Sequence, residues 1–166
     1  MKDFKGKVAV VTGAASGIGK ALAEKCIMEG MHVFLCDLNM AVIQNVANGM
    51  KKLAILPEQR ILPFPMDCSS EKDNKLLLKA ILDNFATVNL CFLNAGVGGG
   101  NGSNTVLGGD EEQWRWVEEV NFWGMWYGSR LFGNKMVELA KEDNSYEGHI
   151  CNTASAAGYM TGALGA

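Results

Sequence analysis

The sequence predicts an α/β fold, a doubly wound parallel sheet with helices on both faces. Short apolar strand-like runs alternate with helix-period segments along the chain. The first run leads directly into a glycine-rich turn and then into a helical pattern. With 166 residues, 48% hydrophobic and 20% charged, the chain has the length and composition of a single domain, 1–166, with a real core.

The first strand is expected at Val8–Val11. It runs into Thr12-Gly13-Ala14-Ala15-Ser16-Gly17-Ile18-Gly19, with glycines spaced G-x3-G-x-G. Glycines let a backbone turn sharply and approach a diphosphate. The helix N-terminus that follows supplies unpaired N–H groups and a partial positive charge. Glycine spacing alone is weak, but its place between a strand and a helix makes this a strong dinucleotide signal. A side chain at Gly13 is expected to obstruct the pyrophosphate.

The second strand, His32–Cys36, is followed by Asp37, 18 residues beyond Gly19. A carboxylate there can accept hydrogen bonds from both adenosine ribose hydroxyls, or it can cap the next helix. In the first role it repels a 2′-phosphate, since unit charges ~4 Å apart interact by about 4 kcal/mol at an effective dielectric of 20. Neither Ala14 to Ser16 nor the residues just after Asp37 include a Lys or Arg to offset that, so the expected cofactor is NAD.

Ile43, Val46, Ala47, Met50 and Ala54 mark one face of a helix, in which Gly49 costs about 1 kcal/mol relative to Ala. The third strand, Ile61–Pro65, ends in Met66-Asp67-Cys68. Asp67 can accept from an adenine amino group or cap the helix that begins near Ser70. Leu77, Ile81 and Phe85 stripe that helix. The fourth strand, Leu90–Leu93, ends in Asn94-Ala95-Gly96. Gly96 would let backbone pass close to the ribose. Asn94 either ties neighbouring strands together or meets the ligand.

Residues 98–109 read as a loop, and 111–141 as one long helix carrying Trp114, Trp116, Trp123 and Trp126. Asn121 falls mid-helix, on a face with Gly124, Gly128 and Leu131. A residue so poor for a helix interior implies close packing, a bound water or a functional contact there. The fifth strand is His149–Asn152. Ser155 follows it, either as a turn residue or as a hydroxyl aimed at the crevice.

The formal charge of −3 offers no basic face for nucleic acid, and no apolar stretch has the length of a membrane span. The five cysteines lack metal-ligand spacing, so no metal is expected. They suit a reduced, cytoplasmic protein, with Cys36, Cys91 and Cys151 in buried strands. His32 and His149 read as structural. A flavodoxin-like or phosphate-loop nucleotide binder is disfavoured, because Lys20 is followed by Ala21 where Ser or Thr would hold Mg²⁺.

Taken in order, Thr12-Gly13-x3-Gly17-Ile18-Gly19, Asp37, Asp67, Asn94-Ala95-Gly96, Asn121 and Asn152-x-x-Ser155 resemble the short-chain dehydrogenase/reductase family, from Lys7 onward. The resemblance implies a Rossmann-type sheet and an NAD-dependent oxidoreductase acting on a small-molecule alcohol or carbonyl. By it, the segment from Gly13 through Ser16, Gly17 and Ile18 to Gly19 cradles the pyrophosphate. Asp37 holds the ribose, Asp67 and the adjoining Cys68 the adenine, and Asn94, Ala95 and Gly96 line the same site. Asn121 would hold a water of a proton relay, and Ser155 would bond the substrate oxygen.

The family's Tyr-x-x-x-Lys pair would fall just past Ala166. Tyr159 lies too close to Ser155 to replace the Tyr, and Ala163 stands where its Lys would be. The 166 residues are therefore expected to be an N-terminal portion, a sheet truncated after about five strands, that binds cofactor without turnover. A non-catalytic NAD-binding module is the alternative. Strand five would then be an unpaired edge. The long helix resembles the family's dimer helix, implying a homo-oligomeric parent, and its tryptophans either lie exposed or pack on the sheet.

Overall fold

The computed structural model describes residues 1–98 and 109–158. Most of the 98–109 loop, Tyr159, Ala163 and the approach to Ala166 lie outside the described residues. The elements are β1 (Val8–Thr12), α1 (Gly17–Met28), β2 (His32–Asp37), α2 (Met40–Met50), β3 (Ile61–Pro65), α3 (Glu71–Phe85), β4 (Leu90–Leu93), α4 (Glu111–Glu118), α5 (Gly124–Glu142) and β5 (His149–Asn152). The five strands form one parallel sheet in the order β3-β2-β1-β4-β5. The chain leaves β1 toward β2 on one side and returns to β4 on the other. That reversal opens a crevice at the C-terminal ends of β1 and β4.

Strand alternation sorts the core into two layers. Ala9 and Val11 of β1, with Val33 and Leu35 of β2, face α1 and α2, where Ala23, Ile27, Ile43 and Ala47 are buried against them. Val8, Val10, Phe34 and Cys36 face the opposite way, onto Leu77 and Ile81 of α3 and Phe132 and Met136 of α5. Burying each large side chain contributes about 1.5–3 kcal/mol, and β1 and most of β2 are dry on both faces.

Three expectations need correction. The helix read over 111–141 is interrupted by a π turn at Glu119–Trp123, so α4 and α5 are separate elements in one continuous rod. The helix expected to reach Ala54 ends at Met50 and tightens into a 3-10 turn, Lys51–Leu53. Cys151 is exposed, not buried, because β5 is the outer strand and presents most of its side chains to solvent.

Trp114, Trp116 and Trp126 are roughly half exposed, while the buried face of the rod carries Val120, Gly124, Gly128, Phe132 and Met136. The sheet therefore receives the small and aliphatic residues with Phe132, and the indoles stay outside. Glycine makes that approach possible: a Cβ on Gly128 would lie 2.8 Å from Leu93 Cδ2, and one on Gly124 3.2 Å from the Cys68 carbonyl oxygen.

Candidate functional site

The turn after β1 folds against itself and against β4. Gly13 (φ +66°) adopts left-handed backbone, and a Cβ there would meet Ala95 Cα at 3.0 Å. A Cβ on Gly19 would sit 2.2 Å from the Gly13 carbonyl oxygen. Both glycines are thus required by the protein's own packing, whatever else passes close to them. Gly17 differs. Its φ is +53° and a Cβ there meets nothing within 4 Å, so it is the glycine whose backbone is open to an approaching group.

The start of α1 is set apart by its capping. Asn39, Ser70 and Asp110 each accept a backbone N–H at the start of α2, α3 and α4. Ser16 at the start of α1 makes no such side-chain bond, and the first turn of α1 carries no acidic residue. The N–H groups at the start of α1 therefore have no capping side chain.

Asp37 closes the opposite wall. Its carboxylate accepts from the Ala15 N–H at 3.0 Å and from the Leu38 N–H at 2.9 Å, which fixes it beside the glycine turn. The capping alternative is excluded, since Asn39 caps α2. Asp67 accepts from the Ser69 N–H and hydroxyl at 2.9 and 2.7 Å. Ser70, not Asp67, caps α3, and Asp73 accepts from the Asp67 N–H at 3.0 Å. Asp67 therefore shapes the turn that presents it to the crevice.

Thr12, given no role of its own in the sequence, organises the floor. Its hydroxyl oxygen accepts from the Asn94 and Ala95 N–H groups at 2.9 and 3.0 Å. Asn94 Nδ2 donates to the Thr12 carbonyl at 3.2 Å, and Asn94 Oδ1 accepts from the Thr153 hydroxyl at 3.0 Å. The ends of β1, β4 and β5 are thereby laced together, the tying role that was one of two readings of Asn94. A hydroxyl at the last position of β1, beside a strand that ends in Asn, was the available signal.

Asn121 sits in the π turn, where the altered helix register frees its side chain to reach outward. Its amide clasps the Val97 backbone, accepting from the N–H at 2.8 Å and donating to the carbonyl at 2.8 Å. Gly96 is the neighbour, and a Cβ there would lie 3.3 Å from Asn121 Oδ1. The clasp anchors the segment leaving β4 to the long rod.

These parts enclose a cavity of about 520 Å³. It is lined by the glycine turn, by Asp37 and Leu38 after β2, by Met66 to Cys68 after β3, by Asn94 to Val97 after β4, and by Trp116, Val120 and Thr153. Among the described residues the lining holds two carboxylates and no Lys, Arg or His. Burial pushes the Cys68 thiol up to about 11, helped by Asp67, and raises Cys36 well above its ordinary value, so both remain neutral thiols. Ser155 lies exposed two residues beyond Thr153, and its carbonyl accepts from the Gly158 N–H at 3.1 Å. Among the described residues no group of three His, Cys, Asp or Glu is placed to hold a metal ion, and no helix is long and apolar enough to cross a membrane.

The family profile for short chain dehydrogenases matches residues 7–166. The chain belongs to that family. Human dehydrogenase/reductase SDR family member 11 is 28% identical over 159 residues, a match covering 96% of this chain and 58% of that protein. Mouse 15-hydroxyprostaglandin dehydrogenase [NAD(+)] is 31% identical over 159 residues, covering 93% of the chain and 52% of the relative. The crystal structure of a short chain dehydrogenase/reductase from Burkholderia phymatum in complex with NAD superposes with a TM-score of 0.86 at 33% identity, covering 98% of this chain and 53% of that one. This short-chain dehydrogenase thus spans between half and three fifths of the length of those relatives.

Proposed function

We propose that this chain binds NAD for hydride transfer between the nicotinamide and a small-molecule alcohol or carbonyl, the 166 residues by themselves binding the cofactor without turnover. The observation that carries the proposal is Asp37, fixed by two backbone N–H groups at the crevice wall, with no cation in the lining to balance it. A dinucleotide diphosphate fits the uncapped start of α1 and the open backbone at Gly17. An unphosphorylated ribose fits Asp37, and an adenine amino group fits Asp67. Bound NAD would supply the hydride acceptor.

The chain's own residues would hold the cofactor and meet the substrate oxygen. Ser16, Ile18 and Gly19 belong to the turn and helix start that hold the diphosphate, and Cys68, Asn94, Ala95 and Gly96 complete the walls. Ser155 would hydrogen-bond the substrate oxygen. Asn121 would hold a relay water with the hydrogen-bonding capacity left over by its clasp on Val97. The likeness to an NAD-bound structure and to an NAD(+)-named relative supports this reading. Five free cysteines favour a cytoplasmic location. The exposed Phe122, Trp126 and Val137 along the rod favour a homo-oligomer through 111–141.

Replacing Asp37 by Ala tests the assignment by calorimetric titration. NAD affinity should fall by about tenfold or more while NADP affinity holds or rises. Unchanged NAD affinity in a folded Asp37→Ala variant contradicts it.

A further inference from the structure

The rod formed by α4, the π turn and α5 presents one row of residues at four-residue spacing toward the molecule. Met136, Phe132, Gly128, Gly124 and Val120 are all buried against the sheet side. Trp116 is the next position in that row. It precedes Val120 by four residues in α4 and lines the crevice together with Val120, Val97 and Leu38. The row runs off the C-terminal edge of the sheet there, so Trp116 meets the cavity where its successors meet strands. Trp114, equally exposed, is not among the residues lining that cavity.

The cavity is chemically mixed. The glycine turn and the start of α1 give it a polar part suited to phosphate. Leu38, Met66, Val97, Val120 and Trp116 contribute apolar surface to the same lining, which also holds the Asp67 carboxylate. A purine has apolar faces and a polar edge, and an indole offers the largest flat π surface in that lining.

We propose that Trp116 is the aromatic wall against which the adenine ring of the cofactor packs, a specificity-determining contact that rests on the NAD reading above. It makes Trp116 responsible for adenine affinity, separately from the ribose contact at Asp37.

The test is titration of NAD and of AMP into the unmodified protein and its Trp116→Ala, Trp116→Phe and Trp114→Phe variants, followed by calorimetry and by tryptophan fluorescence. Trp116→Ala should weaken both ligands by about tenfold, the usual scale of base–aromatic stacking, and Trp116→Phe should restore most of the loss. AMP should quench fluorescence in the unmodified protein and in Trp114→Phe, but much less in Trp116→Phe. Trp116 is half exposed, so these variants keep the core intact. NAD and AMP affinities within about twofold of the unmodified protein in Trp116→Ala would overturn the wall and leave the NAD reading standing. No binding of NAD to the unmodified protein would overturn both.

Discussion

The two outer strands of the sheet are built differently. On β3 the Met66 N–H donates to the Asp37 carbonyl, so even-numbered residues point toward β2 and odd-numbered ones away from it. Pro63 and Pro65 occupy the outward positions and remove the donors a further strand would need. On β5 the His149 and Thr153 N–H groups donate to β4 backbone, which turns Ile150 and Asn152 outward with their N–H groups intact. The strand's side chains are mostly exposed, whereas β1 is fully buried and β2 nearly so. One edge is chemically finished and the other is competent to pair. The half of the molecule around β1, α1 and β2 is tight, and the half around β5 and the outer face of the rod is tolerant.

Substitutions on the two sides should separate accordingly. Gly19→Ala, which forces a Cβ onto the Gly13 carbonyl, should cost on the order of 4 kcal/mol in urea unfolding and abolish NAD binding. Gly133→Ala in α5, where a Cβ would make an ordinary 3.7 Å contact with Ile150 Cδ1 of β5, should change stability by less than about 1 kcal/mol. Equal losses would erase the contrast. Cys36→Ser, placing a hydroxyl in the dry face of β2, should cost about 1–3 kcal/mol, whereas Cys151→Ser on β5 should change stability by less than about 0.5 kcal/mol. A costly Cys151→Ser would mean that β5 is covered in solution.

The smallest effect should come from His32. Its ring Nδ1 accepts from the Arg60 N–H at 3.1 Å, and burial, then the Arg60 charge, hold its pKa below the ordinary 6.5. A depressed histidine contributes stability that is complete above the unfolded value and is lost as pH falls through the folded one. Urea midpoints compared at neutral pH and near pH 5.5 should therefore fall slightly less in His32→Gln than in the unmodified protein.

The sequence's apolar runs located each of the five strands to within a residue; β1, β2 and β4, largely buried on both faces, read as continuous hydrophobic runs, and β3 and β5 as short ones bounded by polar residues. Asp37, Asp67 and Asn94 were found for a related reason, since strand ends fix where side chains meet the crevice. The π turn was hidden. Apolar spacing on either side of Asn121 satisfies an α-helix, and one inserted residue leaves no mark in composition. The exposure of Cys151 follows from the edge position expected of β5, and not from its local apolar pattern, which reads like that of a buried strand. Trp116 looked like one of four similar indoles until the row running back from Met136 showed where it points.

Parallel calorimetric titrations of the unmodified protein with NAD and NADP probe the crevice most directly. With Asp37 fixed beside the glycine turn and no Lys or Arg in the cavity lining among the described residues, the proposed ribose contact should make NAD bind more than about tenfold tighter. Equal affinities, or tighter binding of NADP, would contradict the role given to that carboxylate and the cofactor assignment built on it.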